Sequence, residues 1–242
     1  MNERTILAVS GADRDHFLQG LITNDVKKAK GGIAYAALLT PQGKYLADFF
    51  VVGQEDRLLI DVDSAQASAL AMRLSMYKLR ADVQIADSGL KVRTGTGAPP
   101  EGALVDPRDP GMGWRLYGAE GGDDGSDWAA LRVAHQVPAY GAELGPDSYI
   151  LEMGFERLNG VDFRKGCYVG QEVTARMKHK TELRKGLARL RLAGAVAPGT
   201  PILSGDKEAG IIHTVAGDHA LSYVRFDRAE AMTAGGIAVE ID

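Results

Sequence analysis

The chain has 242 residues, 45% of them apolar, which suffices for a sizeable core in one large or two medium domains, and its formal net charge is −4. Its single cysteine, Cys167, excludes an internal disulfide, and it excludes an iron–sulfur cluster held by this chain alone, since such clusters take about four thiolates. The first five residues lack a basic region leading into an apolar stretch, and no apolar run approaches the roughly 20 residues of a membrane span, so a cytoplasmic protein without membrane contact is expected, although a mature organellar protein would look the same.

In chain order, Ser10 and Asp13 offer a start to a helix with Phe17, Leu18, Leu21 and Ile22 at helical spacing. The period then changes. Residues 34–39 and 45–52 are apolar runs on either side of Pro41-Gln42-Gly43-Lys44, whose Pro-x-Gly chemistry predicts a hairpin turn. Residues 58–62 add a strand, and Ser64 is the expected cap of a helix burying Leu70, Leu74, Met76 and Tyr77. Residues 83–85 and 90–92 return to strand, while 94–102 reads as a linker and 106–113 as turn chemistry. Residues 126–136 form a helix with Trp128, Leu131 and His135 on one side, stopped before Pro138. After Lys185 the pattern is all short strands, at 187–192, 201–203, 210–215, 220–226 and 236–241, spaced by glycines as in a small antiparallel barrel. No internal repeat and no heptad series is apparent. The reading is an α+β body over residues 1–180, followed by a β-barrel over 181–242.

Cys167 sits in Lys165-Gly166-Cys167-Tyr168-Val169-Gly170-Gln171-Glu172. A thiol acts as its thiolate, and Lys165 together with the amides of a glycine-bounded turn would favour that form. A buried free cysteine acting as a small hydrophobe is the plain alternative. The polar neighbours Lys165, Gln171, Glu172 and Arg176 argue against it, because a core would have to satisfy each of them. Charge is uneven as well: residues 164–185 carry seven Lys or Arg against two Glu, a local +5 in an acidic chain, which points to an anionic ligand. The five histidines occur singly, without the i,i+4 spacing of a metal site. No phosphate-binding or dinucleotide glycine loop is present in the sequence, so no use of ATP or NAD is expected.

The octapeptide, with Leu158-Asn159-Gly160-Val161-Asp162-Phe163-Arg164 before it, resembles the signature of the YgfZ-type folate-binding proteins, relatives of the glycine-cleavage aminomethyltransferase. Phe17-Leu18-Gln19-Gly20, Thr23-Asn24-Asp25-Val26, Leu39-Thr40-Pro41-Gln42-Gly43-Lys44, Tyr77-Lys78-Leu79-Arg80 and Pro138-Ala139-Tyr140-Gly141 agree in the same order. The resemblance implies an aminomethyltransferase-like, three-lobed folate-binding fold that binds tetrahydrofolate, and a role in assembling or maintaining iron–sulfur proteins, including those that modify tRNA. It makes Cys167 the functional thiol, and Asn24, Asp48, Lys165, Gly166, Tyr168, Gly170, Gln171, Glu172 and Arg176 the residues expected to bind the cofactor or shape its site. The expected partners are folate, polyglutamylated in the form that best suits the basic segment, and iron–sulfur client or assembly proteins; nucleic acid fits less well. The transferase branch has paired acids where this chain reads Ala47-Asp48, and a carboxylate against the pterin where it has Ala134, which puts one-carbon transfer in doubt. A folate-dependent transferase and a tRNA-binding module are the competing readings.

Overall fold

The computed structural model describes residues 2–179 and 183–242. By internal contacts the chain divides into two compact units, residues 1–126 with 156–173, and residues 127–155 with 174–242. Both are discontinuous in sequence, whereas the sequence suggests a single linear boundary near residue 180.

The first unit is built on a five-stranded antiparallel sheet. It comprises β1 (Arg4–Ser10), β2 (Ile33–Leu39), β3 (Tyr45–Gly53), β4 (Arg57–Asp63) and β5 (Gln84–Asp87), in the order β2-β3-β4-β1-β5. The hairpin expected around Pro41-Gln42-Gly43-Lys44 joins β2 to β3, and the side chains of β3 alternate between two covered faces. Ala47, Phe49 and Val51 point into a core shared with α1 (Arg14–Gln19) and α2 (Ser64–Lys78). Val52, with Ile6 and Leu59, packs on the opposite side against Val92, Leu104 and Tyr117. The last three belong to a second sheet made of β6 (Lys91–Gly95), β7 (Leu104–Val105), β8 (Trp114–Gly118) and β9 (Gly122–Asp123). Coverage on both faces explains the near-continuous apolar runs of β3 and β4.

Several local expectations are corrected. Ser10 ends β1 rather than opening a helix, and β1 itself had no clear signal in the sequence. The cap of α2 is Asp63, whose carboxylate accepts from the Ala65 amide, and not Ser64. Met76 faces solvent, while Leu70 and Leu74 are buried as expected.

In the second unit, α3 (Trp128–Ala134) buries Trp128 and Val133, the latter in place of Leu131 and His135. The barrel expected at the C-terminal end is present and closed. Its strands are β10 (Lys185–Leu192), β11 (Pro201–Ser204), β12 (Lys207–Ala216), β13 (His219–Arg225), β14 (Met232–Ala234) and β15 (Ile237–Ile241), in the order β10-β13-β12-β11-β14-β15. Leu190, Ile202, Ile212, Val224 and Val239 fill it. The helix α4 (Gln171–His179) follows the cysteine segment. Among the described residues, no helix is long and apolar enough to cross a membrane.

Candidate functional site

The segment carrying Cys167 is fixed on both sides by parts of the chain far away in sequence. Before the cysteine, Thr23 donates its hydroxyl to the Gly160 carbonyl at 2.6 Å and accepts from the Ala37 amide at 2.8 Å. Asn24 donates its two amide hydrogens to the carbonyls of Asn159 (2.6 Å) and Tyr35 (2.8 Å), while its side-chain oxygen accepts from the Asp25 amide. The Asp162 amide donates to the Thr23 carbonyl, and the Asp162 carboxylate pairs with Lys28 at 2.7 Å. That hydrogen bond to Lys28 is the main reason the Asp162 carboxyl lies below the usual range, against a smaller opposing effect of burial.

Lys165 completes this side. Its ammonium donates to the carbonyls of Gln19 at 2.6 Å and Ile22 at 2.5 Å, and lies 5.0 Å from the centre of the Tyr168 ring. Burial lowers its pKa to about 8, opposed by Asp25 and Asp162. The expectation that Lys165 would serve as a cation for the thiolate or a folate tail is therefore corrected: its charge is turned inward, onto the backbone after α1.

Beyond the cysteine the support comes from the β2–β3 hairpin. Gly170 has a φ of +83°, and a side-chain carbon there would meet the Thr40 carbonyl oxygen at 2.6 Å. At Gly43 (φ +75°) such a carbon would meet Val173 at 2.8 Å. These two glycines let the turn and the start of α4 sit against each other. Gly166 has no such role, since nothing lies within 4 Å of a side chain placed there. Tyr168 is buried, Val169 packs on the helical side of the sheet, and the Gln171 amide donates to the Tyr168 carbonyl as α4 begins. Between the two supports, Gly166 and Cys167 are exposed, so the buried-hydrophobe alternative for the thiol is overturned. Glu172 and Arg176 are exposed on α4, and Gln171 is half-buried. Of the basic segment, Lys180 lies outside the described residues.

Asp48 belongs to a different cluster, on the sheet face opposite the helices. Its two oxygens accept from Tyr35 (2.9 Å) and Tyr45 (2.6 Å). Burial first, and the adjacent Asp48 second, push both phenols far up, so they act as neutral donors. Nearby, Asp61 is fully buried and bonds Arg4 (2.6 Å), Arg115 (2.5 Å) and Tyr117 (2.8 Å). Arg108 pairs with Asp106 at 2.8 Å and lies 4.8 Å from the centre of the Phe50 ring, which Arg115 approaches to 3.8 Å. Burial raises the Asp61 and Asp106 carboxyls, but the arginines outweigh it and hold both below the usual range. The only sequence sign of this cluster is an aspartate inside the apolar run of β4; of its arginines, Arg108 lies in the stretch read as turn chemistry, and Arg4 and Arg115 lie where the sequence gives no element. In the second unit, Arg132 pairs with the buried Glu143 at 2.7 Å, and Thr214 donates to the same carboxylate. Glu152 there accepts from Tyr223 at 2.6 Å.

The fold is that of an aminomethyltransferase. The structure superimposes on the glycine cleavage system aminomethyltransferase T of Bartonella henselae with a TM-score of 0.80, covering 98% of this chain and 82% of that one, at 13% sequence identity. Residues 184–242 match the family described as the CAF17 C-terminal beta-barrel domain. The chain is 36% identical to the iron-sulfur cluster assembly factor IBA57 homolog, mitochondrial, of Mycosarcoma maydis, over 81% of its own length and 58% of that protein's. It is 32% identical to the mitochondrial IBA57 of Mus musculus and 30% identical to that of Homo sapiens, over 82% and 84% of its own length and 68% and 70% of theirs. The chain belongs to the IBA57 family.

Proposed function

We propose that this chain is an iron–sulfur cluster assembly factor in which Cys167 supplies one thiolate to a cluster shared with a partner protein. The observation that carries this reading is the exposed Cys167 at the tip of a segment fixed on both sides, in a chain whose relatives bear the name of such a factor. One cysteine meets only part of a cluster's need for about four thiolates, so the remaining ligands belong to the assembly or client protein. Enzymes that modify tRNA are among the clients this reading includes. A thiol on a pre-ordered loop engages its partner without a further ordering cost. The test is the activity of an iron–sulfur enzyme in cells lacking this protein. Restoration by the wild type but not by Cys167→Ala supports the reading, and full restoration by the alanine variant removes the thiol from it.

The YgfZ-like part of the reading adds tetrahydrofolate. Asp48 has the chemistry for it: Tyr35 and Tyr45 orient the carboxylate, and each oxygen keeps a further lone pair for an N–H donor of a pterin edge. Asn24 does not suit that role, because both of its amide hydrogens are used within the chain. In the same unit, exposed Arg164 supplies positive charge for a glutamate tail. Calorimetry with mono- and polyglutamyl tetrahydrofolate tests this, with tighter binding expected for the longer tail. Absence of heat from both would remove folate and leave the thiol reading standing.

A further inference from the structure

The solvent side of α2 carries apolar residues at spacings of four, three and four. Ala65, Ala69, Met72 and Met76 are all exposed, the last two at 63% and 66%, and Leu79, the residue just past the helix, is exposed at 89%. The opposite side, with Ala67, Leu70 and Leu74, fills the core. A helix apolar on two sides is one that is covered on two sides. The four-three spacing is the seam through which helices pair, here only about two heptads long and so too short to stand out as a series in the sequence. Alanines at one end allow close approach, and methionines at the other adapt to what they meet. Leu79 has a φ of +45°, a conformation unfavourable for leucine, and it presents its side chain to water there.

The charges beside the seam have one sign. Residues 64–81 contain Arg73, Lys78 and Arg80 and no acid, in a chain of net charge −4. With Met72 at a d position, Arg73 occupies e and Ser68 and Ser75 occupy g, while Lys78 and, just past the end of the helix, Arg80 add positive charge at that end; residues at e and g select a partner by charge.

We infer that this face of α2 docks an amphipathic helix of a protein partner whose residues flanking its own apolar seam are acidic. A second copy of this chain fits less well: residues 64–81 carry three cations and no acid, so pairing two copies would bring like charges together and supply no acid to meet Arg73. A lipid surface also fits less well, since the stripe is narrow and the other side of α2 is fixed to the sheet. The test is fluorescence anisotropy of the whole chain with a labelled synthetic helix of about three heptads, with leucine at a and d and glutamate at e and g, compared with its lysine counterpart. The glutamate peptide binds and the lysine peptide does not. Met72→Glu with Met76→Glu weakens binding at least about tenfold, and Arg73→Glu with Arg80→Glu inverts the preference. The charge swap leaves the apolar residues intact, so it decides the matter even if the methionine variant melts early. No binding of the glutamate peptide, equal binding of both peptides, or indifference to the variants overturns the inference. A dimer in sedimentation that the methionine variant dissolves overturns it in favour of a second copy. Flotation with phosphatidylglycerol vesicles that the same variant abolishes overturns it in favour of a membrane.

Discussion

The ammonium of Lys165 lies 2.5 Å from the carbonyl oxygen of Ile22, 143 residues earlier in the chain. With the bond to Gln19, this contact ties the cysteine segment to the backbone that leaves α1, and it does so with a charge that burial disfavours. The folded-state pKa of about 8 is below the roughly 10.4 of an unfolded lysine. Between those values the unfolded chain binds more protons than the folded one, so this group makes stability rise with pH across that window. Lys165→Met removes the titration while keeping an unbranched side chain. The melting temperature of the wild type should therefore gain on that of the variant from about pH 8 to 10, and a constant difference across that window would count against the buried charge.

The two glycines that flank the cysteine should behave differently on substitution. Gly170→Ala forces a left-handed residue, which alone costs about 1–2 kcal/mol, and drives the new carbon to 2.6 Å from the Thr40 oxygen. Gly166→Ala meets open space and should stay within about 0.5 kcal/mol of wild type. Urea midpoints of the two variants decide the matter: similar losses would mean that the hairpin does not brace the start of α4.

Asp61 offers a prediction about stability. Asp61→Asn leaves the half-buried Arg4 without its counter-charge and the buried Arg115 with only the more distant Asp106 at 3.6 Å, and breaking a buried pair in this way costs about 3–5 kcal/mol. Because the arginines hold this carboxyl below its usual range, its stabilisation is present above the unfolded pKa of about 3.9 and is lost as pH falls through the lower folded value. Acid unfolding of the wild type should show this component and that of the variant should lack it; equal acid profiles would show that Asp61 is not ionised in the fold.

What was legible in the sequence was local. Pro41-Gln42-Gly43-Lys44 between two apolar runs marks the hairpin, and glycine-spaced short strands mark the barrel, because turn chemistry and side-chain alternation are properties of neighbours. The exposure of Cys167 could be read from its polar, glycine-bounded flanks. The direction of Lys165 could not, since its acceptors are backbone carbonyls 143 and 146 residues away that any residue type could present. For Asn24, expected at the cofactor site, the structure shows an amide that latches Asn159 and Tyr35 within the chain, partners that no local pattern could name. The aspartate–arginine cluster around Phe50 has no local sequence pattern, because its charges balance only after β4 and β8 meet. In the same way, Met76 matches the apolar period of α2 on both sides, and only the fold decides which side is wet.

The last prediction separates the thiol's chemistry from its packing. Cys167 is exposed between two fixed stretches, so its sulfur fills no cavity, and Cys167→Ala should leave the melting curve unchanged, within about 0.5 kcal/mol. Truncating a buried side chain would instead leave a void costing on the order of 1 kcal/mol or more. For the same reason, iodoacetamide should label the folded wild-type protein fully and without denaturant, whereas a thiol protected until the chain unfolds would place Cys167 in the core. Because Lys165 points away from the surface, Lys165→Met should leave the labelling rate close to wild type as long as the loop stays folded. A large drop in that rate, with an intact melt at the labelling pH, would mean that the ammonium acts on the thiolate after all.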